Sequence, residues 1–463
     1  MKVTIIFPDQ PKELASNMIQ MVPMTSTYLA ALTPQDIEVE IIDMVAGDKV
    51  NFDNNADAVA ITTRTPMADV AYHLADEFRQ RGKKVFLGGP HVTIFPLEAA
   101  QHADAVGIGE ADETWPIMLE DFQKNRLKKF YVSGPFDISS LHGGAFYHDK
   151  KRPQLKGLPI PKRDLVPRKR YMFDSLFTTR GCPNNCKFCP VTRLFGSAIR
   201  HRPIDEVVAD VETLRKRYFN VDDSVFGHPQ LTDRPEENRY YLDLYTELAN
   251  IRPKRYWGGA GGLSAVNYKD GRKILEKAAD SGLSSLAAGI ESISPEGQKQ
   301  SGAFRKLHES DPERFTLDKI RENIKIIQYH GIEIMGFFII GWDNDTIDTY
   351  YRTLDFCLET HIMPLIMTLA PMPGSSIYDQ FKKQGKILEG ITWGDYSGSR
   401  VILKHPAMTI EEMEHASQEV IHRGYTLRHI LKRSIHAFSR RPGTETFMGS
   451  FFTQLGIKKF FSN

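Results

Sequence analysis

Short apolar runs alternate with stretches of helical periodicity along most of this chain, and the alternation changes character twice. In the first part, β-rich runs at residues 3–7, 39–43, 58–63, 84–88 and 105–108 are separated by helical patterns. Residues 68–80 set Val70, Leu74 and Phe78 at fourfold spacing, which predicts an amphipathic helix with one buried face. Strands alternating with helices predict a parallel sheet with crossover helices. Ligands of such sheets sit at the carboxyl ends of the strands. Here those ends carry Thr62-Thr63-Arg64-Thr65-Pro66, Gly88-Gly89-Pro90-His91 and Gly107-Ile108-Gly109-Glu110. Their glycines alone say no more than that the chain turns tightly.

Residues 125–170 are rich in proline, glycine and charge (Pro135, Gly143, Gly144, Pro153, Pro159, Pro161, Pro167), which predicts a connector lying across two domains. A strand at 175–179 follows, then a helix at 204–218 with Val207, Val208, Val211 and Leu214 on one side. Strands at 222–227, 256–259, 283–289, 332–341 and 365–369 then alternate with helices at 236–250, 270–281, 316–330 and 346–359. Six such repeats fit a partial (β/α)6 barrel with a lateral opening and a site at the carboxyl ends of its strands. Beyond about residue 395 the alternation ends, and 409–435 reads as helices, with Thr409 capping and Glu411, Glu412 and Glu414 in the first turn. The fold class is therefore α/β: a Rossmann-like parallel-sheet domain at 1–130, a linker at 131–170, the partial barrel at 171–395 and a helical, basic extension at 396–463.

Composition narrows the class. With 463 residues, 41% hydrophobic and 25% charged, the chain reads as soluble and globular with two or three domains. A net charge of +1 points to neither nucleic acid nor an acidic partner. The N-terminal run Met1-Lys2-Val3-Thr4-Ile5-Ile6-Phe7 meets Pro8 and Asp9 too soon for a signal peptide, and no later apolar run is long enough to span a membrane. The tail is locally basic: Arg423, Arg428, Lys432, Arg433, Arg440, Arg441, Lys458 and Lys459 stand against Glu445, with Phe451, Phe452, Phe460 and Phe461 interleaved. That pattern suits a peripheral membrane or protein contact, or equally a helical cap with a solvated basic face. No base-reading module accompanies it, which argues against nucleic acid.

Three of the four cysteines fall within eight residues, in Arg180-Gly181-Cys182-Pro183-Asn184-Asn185-Cys186-Lys187-Phe188-Cys189. This usage indicates a reducing cytoplasm rather than a disulfide framework. Spacings of four and three suit one loop around one cluster. A cubane iron-sulfur cluster normally takes four thiolates, and a closed zinc site also wants four ligands, usually as two spaced pairs. Three cysteines thus leave an open position for chemistry; the alternative is a zinc or structural cluster completed by a histidine.

The cysteine loop resembles that of the radical S-adenosylmethionine (radical SAM) superfamily. The resemblance implies a [4Fe-4S] cluster on Cys182, Cys186 and Cys189, whose free iron chelates the amino and carboxylate groups of S-adenosyl-L-methionine, with Phe188 against the adenine. Gly289-Ile290-Glu291-Ser292 resembles the family's Gly-aliphatic-Glu-Ser element, which implies that Gly289, Glu291 and Ser292 line the S-adenosylmethionine pocket; an N-capping Ser292 is the plainer alternative. Gly341 and Trp342 would close the next strand beside the cofactor, and Pro371-Met372-Pro373-Gly374-Ser375 resembles an architectural turn. Where the family often carries Gly-Gly-Glu, this chain reads Phe226-Gly227-His228.

The first domain, through Thr25-Ser26-Thr27-Tyr28-Leu29-Ala30-Ala31-Leu32, the strand at 39–43 and the Gly-Gly-Pro-His turn, resembles the cobalamin-binding domain of one large radical SAM subfamily. That implies cobalamin contacts at Thr63, Gly88, Gly89, Pro90, His91, Gly109 and Glu110. No D-x-H-x-x-G motif is present, so the lower cobalt face should be free of a protein histidine; a domain that kept the fold and lost the cofactor is the alternative. Arg200, His201, Arg202 and Pro203 also suit the subfamily, as anion contacts or as solvated charge. Cys357 reads as a buried inert thiol or a hydrogen donor. No residue is assigned to catalysis itself. The resemblance implies a 5'-deoxyadenosyl radical and methylcobalamin acting together to C-methylate an unactivated carbon, with an external electron donor such as flavodoxin or ferredoxin. Ring formation, oxidation, carbon-carbon coupling and a non-catalytic binding protein are the alternatives. The substrate, whether small molecule, lipid or protein side chain, is not legible.

Overall fold

The structure, a computed structural model, describes residues 1–9, 21–136, 152–226, 235–307, 316–398 and 400–461. Its first sheet comprises β1 (Lys2–Phe7), β2 (Glu38–Asp43), β3 (Ala58–Thr62), β4 (Lys84–Gly88), β5 (Ala105–Ile108) and β6 (Phe130–Val132). All pairings are parallel, in the order β2-β1-β3-β4-β5-β6. Strand β3 is buried along its whole length because helices cover both faces. The helix Ala68–Gln80 sets Leu74 and Phe78 against Val59 and Ile61 on one face, and Trp115 and Leu119 pack with Val3, Ile5 and Phe86 on the other. Strand order reverses between β1 and β3, which opens a crevice at the carboxyl ends. The sixth strand lies within the stretch read as connector. Three residues are too few for a periodic signal, and β6 exists because its backbone completes β5.

The second sheet contains β7 (Asp174–Leu176), then β10 (Tyr218–Ser224), β11 (Tyr256–Ala260), β12 (Leu283–Glu291), β13 (Glu333–Ile340) and β14 (Met363–Thr368), after a small antiparallel pair, β8 (Thr179–Arg180) with β9 (Arg200–His201). Six parallel strands run in the order β14-β13-β12-β11-β10-β7, and the edge strands β7 and β14 do not pair with each other, so the barrel is open. Two stretches depart from the expected pattern. The strand expected at 175–179 is split between β7 in the parallel sheet and β8 in the antiparallel pair. The helix expected at 204–218 ends at Thr213, where Leu214 turns extended (φ −61°, ψ 138°), and the strand expected at 222–227 runs from Tyr218 to Ser224. Leu214 stays buried either way, so its place on the helical stripe misled; Phe219 and Val221, alternating with polar neighbours, are the strand's buried positions.

The extension forms three helices, Ile410–Gly424, Leu427–Arg440 and Thr444–Phe461. Thr409 caps the first as expected: its hydroxyl accepts from Glu412 N (3.2 Å), and Glu412 accepts from Thr409 N (2.8 Å). The first helix packs its Met413, Ala416 and Val420 into the barrel's core cluster, and the chain after it covers the amino ends of the second sheet, where Tyr425 donates to Pro364 O (2.9 Å) and Arg441 to Leu283 O (3.2 Å). The turn Trp393–Ser397 instead returns to the first domain. There Trp393 donates to Glu98 (2.9 Å) and Gly394 N to Asp69 (3.0 Å). This joins a segment placed at the barrel's end to a helix-rich face 295 residues earlier.

Candidate active site between the two sheets

The cluster loop leaves β8 through Gly181, whose φ of +105° lies in the region that favours glycine; a Cβ there would sit 2.1 Å from the Ala198 carbonyl oxygen. Cys182 N donates to Gly196 O (2.9 Å), Thr192 to Cys182 O (2.7 Å), and Lys187 N to Ser301 O (2.9 Å). These bonds hold the loop on both sides. Burial pushes the thiols of Cys186 and Cys189 up to about 11, while the nearby Lys306 ammonium pulls the other way. Among the described residues no three His, Cys, Asp or Glu side chains converge on one ion. Three thiolates that each take a different iron of a cluster need no such convergence.

Lys306, unremarked in the sequence, stands at the centre of the site. It donates to Glu291 Oε1 (2.5 Å), and its ammonium lies 5.5 Å from the centre of the Phe188 ring. Burial is the largest single influence and works against its charge, but the Glu291 carboxylate, through its charge and hydrogen bond, and the sulfurs of Cys186 and Cys189 together outweigh it, so the ammonium is held above its ordinary value. Glu291 reaches this partner because its backbone is left-handed (φ 68°), which folds the side chain back over Gly289. A Cβ on Gly289 would meet Glu291 Oε1 at 2.3 Å and Lys306 Nζ at 2.7 Å. A side chain at this position would therefore displace the ion pair from its present place. Ser292 accepts from Ser294 N (3.1 Å), and Ser294, not Ser292, caps the helix Pro295–Ser301. Gly341 (φ +124°) and Trp342 donate their backbone N–H groups to Asp345 Oδ2 (2.9 Å each), and the Trp342 ring meets Phe188 edge-on at 6.4 Å.

A cavity of about 560 Å³ separates the sheets, a volume typical of ligand sites. Gly88, Gly89, Pro90, Gly109 and Glu110 face it from the first domain; Cys182, Asp222, Gly261, Gly289 and Lys306 face it from the second. Two of the residues expected from the first domain fall elsewhere. His91 is fully buried away from the cavity, packed on Trp393 (4.7 Å) and Phe95 (5.1 Å), with Nδ1 3.3 Å from Thr65 Oγ1. Thr63 also lies outside the lining, and its backbone would clash with a Cβ on Gly89. Gly109 is explained by its neighbours, since a Cβ there would meet Ser133 O at 2.3 Å. Gly227 and His228 lie outside the described residues.

Glu110 is committed to protein cations. One carboxylate oxygen accepts from Arg180 (2.6 Å) and the other from Arg200 (2.8 Å), with Arg152 3.8 Å away. Arg180 also binds Asp112 (2.7 Å), to which Tyr28 donates. This network ties the end of β5 to the residue two before Cys182. Arg202 is fully buried and paired with Asp210 (2.7 Å), which Arg163 also binds (2.6 Å). Arg200 and Arg202 are thus paired with protein carboxylates rather than standing solvated. Cys357 lies in the barrel core with its thiol raised by burial, away from the cavity lining.

The site's two halves coincide with two known families. Residues 176–357 match the Radical SAM superfamily, and residues 20–119 match the B12 binding domain. The chain belongs to the cobalamin-dependent radical SAM enzymes, of the methyltransferase kind, and its cofactors are a [4Fe-4S] cluster, S-adenosylmethionine and cobalamin. Among characterised relatives, bacteriochlorophyllide d C-8(2)-methyltransferase of Chlorobaculum tepidum is 30% identical over 406 residues, spanning 84% of this chain and 82% of the relative. The C-12(1)-methyltransferase of the same organism is 26% identical, over 81% of this chain and 77% of the relative. The solved cobalamin-dependent enzyme OxsB, with aqua-cobalamin bound, shares the fold with a TM-score of 0.68 at 17% identity, covering 98% of this chain and 75% of its own. Like other radical SAM enzymes, this one needs an external electron donor and a substrate. Among the described residues no helix is long and apolar enough to cross a membrane.

Proposed function

We propose that this enzyme transfers a methyl group to an unactivated carbon. The observation that carries the reading is the single cavity onto which both the strand ends of the first sheet and the cluster loop open. When bound, the cofactors supply hydrogen abstraction through a 5'-deoxyadenosyl radical and a methyl group from methylcobalamin. The chain's part is to place these groups and to exclude water. Cys182, Cys186 and Cys189 hold the cluster. Lys306 and Glu291 offer one cation and one anion beside it, complementary to the zwitterionic end of an amino acid, and Phe188 and Trp342 add aromatic surface next to that pair. Gly88, Gly89 and Pro90 form the turn that would face the corrinoid. Because His91 is committed to an aromatic pocket, its imidazole is not offered to cobalt, which supports a lower face without histidine. The names of the bacteriochlorophyllide relatives, both ring-substituent methyltransferases, favour carbon as the acceptor.

The test is anaerobic reconstitution with hydroxocobalamin, reductant and methyl-labelled S-adenosylmethionine, followed by a search for a carbon-bound label in candidate substrates. Label on carbon together with 5'-deoxyadenosine is expected. Substrate conversion with 5'-deoxyadenosine but no label transfer would instead establish a non-methylating radical reaction. Cofactor cleavage that persists after Cys182, Cys186 and Cys189 are all changed to alanine would overturn the cluster assignment.

A further inference from the structure

The helix Leu427–Arg440 is oriented against the usual rule. Its inward face carries Ile430 and Ala437 but also Arg433 and Ser434, with Arg433 donating to Gln454 Oε1 (2.5 Å) and Gly424 O (2.8 Å). Leu427, Leu431, Ile435 and Phe438 point outward and are 55%, 41%, 58% and 43% exposed. Spacings of four, four and three make one continuous stripe. Exposed apolar residues scattered singly need no explanation, whereas a contiguous stripe marks a contact surface. The adjoining helix Thr444–Phe461 adds exposed Met448 and Phe452. Of the other tail phenylalanines, Phe451 is half-buried against Phe447, and the side chains of Phe460 and Phe461 lie outside the described residues.

Charge selects the occupant. The whole chain is balanced, with 59 Lys and Arg against 58 Asp and Glu, but the helix Leu427–Arg440 has no carboxylate at all. Exposed Arg428, Lys432 and Arg440 edge the stripe. A second copy docking face to face would bring these cations against their own counterparts, which like-charge repulsion opposes. Acyl chains beneath anionic headgroups satisfy the apolar stripe and its cations together. We propose that the helix Leu427–Arg440, with Met448 and Phe452, docks this enzyme peripherally on an anionic bilayer surface. The face belongs to the extension over the amino ends of the second sheet, so docking leaves the cavity at the carboxyl ends uncovered. The proposal is independent of the reaction catalysed.

The test is flotation of the reconstituted full chain with phosphatidylcholine vesicles, with and without phosphatidylglycerol. Binding to the anionic vesicles that weakens with salt is expected. Leu431→Glu with Ile435→Glu should lower partitioning at least about tenfold, and Arg428→Gln with Lys432→Gln about fivefold per residue removed. Circular dichroism and 5'-deoxyadenosine formation should match the parent chain in both variants, since these side chains touch neither the core nor the cavity. No binding to anionic vesicles, or binding indifferent to both variants, would overturn the proposal. So would light scattering that shows a dimer which Leu431→Glu with Ile435→Glu converts to a monomer while vesicle binding is absent.

Discussion

Replacing Glu110 with alanine should loosen the joint between the cobalamin domain and the cluster loop. In the native chain this buried carboxylate is shared by Arg180 and Arg200, with Arg152 close by. Its removal leaves three arginines without their common counter-charge. Breaking a buried ion pair from one side costs about 3–5 kcal/mol, because the remaining charge is desolvated and uncompensated. Here the lower end applies. Arg180 keeps Asp112 at 2.7 Å, Arg200 keeps the carbonyls of Pro153 (2.6 Å) and Phe195 (3.1 Å), and Arg152 keeps that of Leu194 (2.6 Å). A loss of about 3 kcal/mol should lower the melting midpoint by roughly 6–12 °C for domains of this size. Glu110→Gln, which keeps one acceptor and the volume, should lose about half as much. Urea and thermal unfolding followed by tryptophan fluorescence would measure both, since Trp115 and Trp393 report on the first domain and its joint. The decisive control is ionic strength. A buried network is little screened, so the destabilisation should be the same at low and high salt. If the loss is below about 1 kcal/mol, or vanishes in salt, the network behaves as an exposed one and the reasoning fails.

Gly181→Ala should leave a folded chain that incorporates less iron, because its Cβ has no room beside the Ala198 carbonyl and the left-handed backbone costs about 1–3 kcal/mol for a substituted residue; iron per chain and visible absorbance check it, and full incorporation would contradict it. Lys306→Met should keep the cluster but weaken S-adenosylmethionine binding by roughly tenfold to a hundredfold, the equivalent of one charged hydrogen bond of about 1.5–3 kcal/mol, as read by calorimetric titration. Burial raises Glu333 from 4.5 to about 7, against the hydrogen bond from Ser450 and the charge of Arg433. The native state therefore holds a proton that the unfolded chain releases. The contribution of Glu333 to stability should be fully present below about pH 4.5, fall by roughly 3 kcal/mol as pH rises to about 7, and stay level above it. Glu333→Gln should flatten that slope in unfolding series across pH, and a variant retaining the full slope would assign it to other groups.

Long periodic elements were legible because one side chain per turn or per pleat had to be apolar. The helix Ala68–Gln80 has the bounds its stripe predicts, and β4 and β5 run as their apolar runs predict. Where the signal is short or ambiguous it failed. Strand β6 has three residues, and Leu214 suits a helical stripe as well as the turn it occupies. Within the site, the cysteine loop declared itself because its three cysteines are neighbours in sequence. Lys306 did not: it joins Glu291 across 15 residues only because Glu291 is left-handed and Gly289 leaves space. His91 misled for a related reason. It follows the Gly-Gly-Pro turn that faces the cavity, but the helix beginning at Pro90 turns its ring toward Trp393, a residue about 300 positions away.

By itself, then, the amino-acid sequence determined two parallel α/β units, a three-cysteine loop and a basic helical tail, all of them local patterns imposed by periodicity, turn chemistry and ligand spacing. Tertiary structure alone decided which strand-end residues face the cavity, which charges are consumed holding the domains together, and which side of the tail meets solvent. Those outcomes depend on how two sheets and an extension pack. Glu110, Arg180 and Arg200 are 70 and 90 residues apart across the domain joint, and no periodicity in the chain encodes a contact at that distance.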